Sequence, residues 1–409
     1  MSMSRSSLAL NNLRAFVILI VLAFHSVLAY LDSSPASQQP FSAPPYRWQA
    51  FPIIDSERWL GFDVFCAFQD VYLMTFMFFL SGLFVWPSLA RKGSGKFLYD
   101  RFLRLGVPFV LGVFLLMPVA YYPSYRVTAV DPSWSAFWRD WLALPMWPTG
   151  PLWFVLQLLL LNVAAAGLYR FAPRWGGDWL RTLSASAGDR PIRYFAGLAT
   201  ASAVGYLPLA AIFTPWEWYQ LGPFGFQLSR ELHYLVYFFA GVGIGAYGLE
   251  RGLLASDGLL ARRWAAWYAA ALAGFLLWVA PTALTMTAWG KDLPALHLAA
   301  NLGFVLSCAT GCFFFAAVFL RFATNRSWLC DSLSENAYGM YLVHYVFVVW
   351  MQYLLLGLAL FAIGKGAIVF GVTLLLSWAA TAIMYRVPLG ARILGAERRL
   401  LARASQPSR

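Results

Sequence analysis

The sequence predicts an all-α, polytopic membrane protein with about ten transmembrane helices, and three observations predict it. Hydrophobic residues make up 60% of the chain and charged residues only 12%. Soluble domains are about half apolar and about a quarter charged, so this excess of apolar surface needs lipid to cover it. The apolar residues fall into runs of roughly 20, the length that crosses a bilayer core. Lysine and arginine alternate between dense and sparse from one connecting loop to the next.

The ten expected spans run Leu13 to Leu31, Gly61 to Trp86, Phe102 to Tyr121, Leu152 to Tyr169 and Tyr194 to Phe213. They continue with Leu232 to Leu249, Trp264 to Met286, Leu296 to Leu320, Ala337 to Leu358 and Gly366 to Tyr385. An even count puts both termini on one side. That side would hold 23 of the Lys and Arg residues, against 7 on the other, which makes it the cytoplasmic side by the positive-inside rule. The net charge of +12 is thereby accounted for by topology and does not call for nucleic acid. A basic start, an apolar core and the small residues Ser33, Ser34, Pro35 and Ala36 also fit a cleaved signal peptide, but Arg14 and His25 interrupt the apolar segment. No repeat divides residues 1–409, which read as one transmembrane domain with a short cytoplasmic tail over 388–409. The four cysteines lie in apolar stretches without a CxxC pair, and the histidines are far apart, so no metal site is expected.

Ionisable groups are costly inside a membrane, so each is a candidate for function. Arg14 and His25 lie eleven residues apart on the first span, nearly on one helix face and roughly 16 Å apart along the axis. Arg14 reads either as a snorkelling cap or as an anion-binding group. His25 reads either as an interhelical hydrogen bond or as a titratable catalytic imidazole. Together they suit a long substrate with a charged end and a reactive end, the shape of a coenzyme A thioester.

The second span carries Asp63 near the outer surface and Asp70 two turns deeper on the same face. A carboxylate at Asp70 facing His25 would orient the imidazole as the acid does in a Ser-His-Asp triad. The other reading is a plain helix–helix hydrogen bond. Ser81 and Gly82 permit close packing or backbone approach to a ligand. Arg101 and Arg104 share a face at the cytoplasmic start of the third span, suited to phosphate or simply to topology. On the ninth span, Tyr341, His344 and Tyr345 form one stripe, with His344 either lining the donor path or packed. Glu231 and His233, at the outer end of the sixth span, suit an acceptor site or an interfacial cap.

These residues resemble the signature motifs of the membrane-bound acyltransferase 3 family of bacterial inner membranes. NNLRAFVILIVLAFHS places ten residues between Arg14 and His25, the family's spacing. TFMFFLSGLF is similar to its Phe-rich stretch before Ser-Gly, although Met77 stands where an aromatic is common. The basic pair Arg101 and Arg104, PLWFVLQLLL and SENAYGMYLVHY match three further motifs in order, and the likeness covers residues 11 to 387. Among its branches the chain is most similar to the one that adds succinyl groups to periplasmic glucans.

The resemblance implies an O-acyltransferase of the bacterial plasma membrane with no tightly bound cofactor. It implies acyl-CoA as the cytoplasmic donor, with its phosphates on Arg14, Arg101 and Arg104, and with Ser81, Tyr341 and His344 along its path. It implies an extracytoplasmic carbohydrate acceptor, for which the outer-side residues Asp63, Glu231 and His233 are the candidates by position. His25, assisted by Asp70, would act as general base or carry the acyl group itself. The competing class is a transporter or flippase of a polar cargo, in which the same buried charges would gate passage.

Overall fold

The computed structural model describes residues 4–172 and 178–394. Arg174 and the tail arginines Arg398, Arg399, Arg403 and Arg409, counted above toward the basic side, lie outside the described residues, as does 395–409 of the expected tail.

The chain folds into a bundle of long helices. These are α1 (Arg5–Val27), α2 (Leu60–Gly82), α3 (Val85–Arg126), the short α4 (Trp134–Leu142), α5 (Trp153–Phe171) and α6 (Pro191–Phe213). After them come α7 (Glu231–Tyr247), α8 (Trp264–Thr285), α9 (Pro294–Phe322), α10 (Trp328–Leu354) and α11 (Ala362–Met384). A two-stranded antiparallel hairpin, β1 (Tyr219–Leu221) and β2 (Phe224–Phe226), precedes α7. Among the described residues, eight helical segments are long and apolar enough to cross a membrane. They correspond to all the expected spans except the sixth and ninth. Those two are helices as well: α7 has 17 residues, and α10 has 27 but carries a string of polar side chains. Large apolar side chains such as Val204, Ile212, Leu276, Leu277, Leu375 and Ile383 point outward and exposed, as the lipid-facing wall of a membrane protein requires.

α1 runs through the middle of the bundle, against α2, α9, α10 and α11. Its start is pinned by polar bonds. Asn12 donates to the carbonyls of Ala323 and Asn325, and Asn11 donates to Asp331 and accepts from Ser334. α2 and α7 cross so closely that backbones touch. A Cβ on Gly241 would lie 2.1 Å from the Phe79 carbonyl, and one on Gly82 2.2 Å from the Phe238 carbonyl. Gly82 therefore serves packing, as small residues do where membrane helices meet.

The third expected span, Phe102 to Tyr121, is the middle of a longer helical segment that begins at Val85. The backbone kinks at Gly93, and π-helical turns cover Phe102–Gly106 and Gly112–Leu116. Pro108 and Pro123 lack amide protons, which deprives the carbonyls four residues earlier of their α-helical donors. In a membrane such carbonyls need other partners. Both are taken by α10: the Tyr338 hydroxyl donates to the Arg104 carbonyl, and the Trp350 indole donates to the Val119 carbonyl at 2.9 Å. The two prolines thus couple α3 to α10, the helices that carry Arg104 and His344.

Candidate active site

The two ends of α1 carry different chemistry. Near its start the Arg14 guanidinium lies over the Phe84 ring, 4.3 Å from the centroid. Phe84 also lines a cleft of about 510 Å³ at the beginning of α3, together with Arg91, Lys92, Lys96, Asp100, Arg101 and Arg104. Arg14, Arg101 and Arg104 are close enough to repel one another. Arg101 stacks on Phe97 and Arg104 on Tyr338, at 5.0 and 5.5 Å, so aromatic faces hold the guanidinium groups where their mutual repulsion would separate them. The structure brings the three expected arginines into one neighbourhood, a concave positive surface suited to phosphate groups. Ser81 is half-buried at the end of α2, beside the Gly82 seam.

At the other end, His25 occupies the last turn of α1. Its Nδ1 lies 2.9 Å from the Val21 carbonyl, which can only accept, so Nδ1 carries the proton. The same reasoning applies to His344, whose Nδ1 is 2.7 Å from the Tyr341 carbonyl. The His344 Nε2 lone pair then faces the His25 Nδ1–H at 3.4 Å. His25 Nε2 keeps its own lone pair, and no described residue hydrogen-bonds it. The rings of Phe24, His344 and Tyr345 stand edge-on around His25, and Gln352 donates to the carbonyls of His25 and Ser26 at 2.9 and 3.3 Å.

A roof lies over this end. The loop from Asp32 to Trp59 sends the Gln49 carbonyl to the hydroxyls of Tyr121 and Tyr345, and the Gln49 side chain accepts from Gln220 of the hairpin. Gly150 has φ +48°, and a Cβ there would press on Met117, Tyr121 and Tyr345. Asp55 and Lys365, each 1% exposed, form a two-pronged ion pair at 2.8 and 2.9 Å that ties the loop to α11. Arg58 donates to the carbonyls of Asp32, Ser34, Pro35 and Asp55.

Several expected site residues stand elsewhere. Asp70 does not serve His25: Arg230, 1% exposed, grips it with both terminal nitrogens at 3.1 and 2.6 Å. A buried guanidinium needs a counter-charge, and Asp70 supplies it. The place opposite His25 Nδ1 belongs to His344, which is fully buried and packed on His25. The Tyr341 hydroxyl is committed to the Pro151 carbonyl. Asp63 accepts the backbone amides of Asp32 and Ser33 at 2.8 and 3.0 Å, which anchors the loop where it leaves α1. His233 is fully buried and bonded to Ser202 at 2.6 Å, and Glu231 is bonded to Gln157, so both tie helices together at the start of α7. Asp55, Lys365 and Arg230 are structural partners that sequence reasoning passed over, since no spacing rule links residues 310 or 160 positions apart.

A family model described as "Acyltransferase domain" matches residues 7–382, nearly the whole chain. No curated protein and no solved structure matches the chain significantly.

Proposed function

Since the chain belongs to the acyltransferase 3 family of membrane enzymes, we propose that it moves an acyl group, such as acetyl or succinyl, from cytoplasmic acyl-CoA to a hydroxyl of an extracytoplasmic carbohydrate. The observation that carries this reading is the arrangement of α1: a basic cleft at one end and, at the other, an imidazole whose Nε2 lone pair is unclaimed.

The donor's phosphates would occupy the cleft among Arg14, Arg101 and Arg104, with the pantetheine arm extending along α1. Eleven residues of helix separate Arg14 from His25 by roughly 16 Å, a distance such an arm spans. The excess of positive charge on the cleft side supports a cytoplasmic face for it, and the plasma membrane of a bacterium is the setting this reading takes. His25 Nε2 takes the proton of the acceptor hydroxyl as that oxygen attacks the thioester carbon, the C–S bond breaks, and the departing coenzyme A thiolate takes that proton from the imidazolium; alternatively Nε2 itself attacks the carbon, releases coenzyme A, and passes the acyl group to the acceptor oxygen in a second step. Either route leaves positive charge on the His25 ring. The Val21 carbonyl and His344 Nε2 both accept from Nδ1 and strengthen as that charge develops. His344 thus fills, as a neutral group, the position an acid holds in a triad.

In vesicles loaded with labelled acyl-CoA and a mixture of glycans, His25→Ala should lower acyl transfer by at least about a hundredfold. Binding of coenzyme A should be unchanged. Near-normal transfer by this variant would remove His25 from the mechanism. A burst of coenzyme A release before acceptor is added would select the acyl-enzyme route.

A further inference from the structure

The basic cleft contains an anion of its own. Asp100 projects into it and uses both carboxylate oxygens, Oδ2 on Lys92 Nζ at 2.6 Å and Oδ1 on Lys96 Nζ at 3.1 Å. Lys96 sits one helical turn before Asp100, whereas Lys92 reaches it from beyond the backbone break at Gly93. The carboxylate therefore draws together two cations from either side of the kink. Both lysines remain partly accessible, at 25% and 56%, and so does Asp100 at 32%. The pairs are open to exchange with an incoming anion.

We propose that Asp100 is an internal competitor for the anionic end of the donor. It holds Lys92 and Lys96 while the cleft is empty, and phosphate groups must displace it to use them. The inference rests on the reading of this cleft as the donor site. Its consequence is a ceiling on donor affinity: one carboxylate engages two of the five cations that line the cleft and offsets one of their charges, which favours release of the spent coenzyme. A carboxylate that merely braced the kinked segment would have the opposite effect when removed, since the lysines would lose their order.

The test is titration of coenzyme A, and separately of inorganic pyrophosphate, into detergent-purified wild type, Asp100→Asn and Asp100→Ser. Competition predicts about threefold to tenfold tighter binding of both ligands in the variants. It also predicts a steeper loss of affinity with added salt, as two more cations join the contact. Equal or weaker binding in the variants overturns the proposal. So does failure of both to remain monodisperse, which would make Asp100 a structural brace. If wild type binds pyrophosphate but no coenzyme A, the donor-site reading fails, while tighter pyrophosphate binding in the variants still upholds the competition.

Discussion

A neutral imidazole has one proton to donate and one lone pair to offer, and the geometry around His25 assigns both. The donor is spent on Val21 and His344, which leaves Nε2 as the basic atom. His344→Phe keeps a ring of similar bulk and removes the acceptor. It should lower kcat about tenfold to a hundredfold, the worth of one hydrogen bond to a charged group, with little change in KM. An unchanged kcat would reduce His344 to packing. At this scale the sequence was legible where chemistry repeats along one helix. The interval between Arg14 and His25 places them at two ends of one face. It was not legible across helices: Asp70 is as well spaced as any carboxylate to serve His25, yet the deciding influence is Arg230, far along the chain.

Among the elements, apolar runs were easy to read because bilayer thickness sets their length. The segments misjudged were those where charge interrupts a helix. The basic stretch from Arg91 to Arg104 breaks the hydropathy of α3, although helix resumes beyond the kink at Gly93 and runs on to Arg126. Pro108 and Pro123 leave the helix unbroken because α10 supplies donors to the Arg104 and Val119 carbonyls they strand. The α2–α7 seam depends on hydrogen atoms where other residues carry side chains. Gly241→Leu would drive a branched side chain into the Phe79 carbonyl. It should cost several kcal/mol, beyond the ~1–3 kcal/mol usual for overpacking, because backbone cannot yield as a side chain does. The check is the yield of monodisperse protein and its melting temperature in detergent. A variant as stable as wild type would mean the helices separate freely.

Across the whole molecule, two cations on the sparsely charged side, Arg230 and Lys365, are buried and neutralised by Asp70 and Asp55. The charge asymmetry of the accessible surface is thus sharper than the count of residues indicates. Removing one member of a buried pair strands the other, so Lys365→Met should destabilise by ~3–5 kcal/mol. Asp55→Asn combined with Lys365→Met should recover most of that loss. Thermal unfolding of Lys365→Met, Asp55→Asn and the double variant compares them directly, and additive losses in the double variant would show that the two charges act independently.

The tethered loop also bears on how the protein would meet a protease. Arg47 and Arg58 offer trypsin two cleavage points in the longest extramembrane segment. Arg58, however, is clasped by four carbonyls, and the segment is bolted to α11 through Asp55. Proteolytic nicking requires a stretch of chain to peel away from the body. Intact vesicles should therefore resist digestion here, and Lys365→Met should expose the Arg58–Trp59 bond, which makes this segment a reporter of whether the roof is fastened.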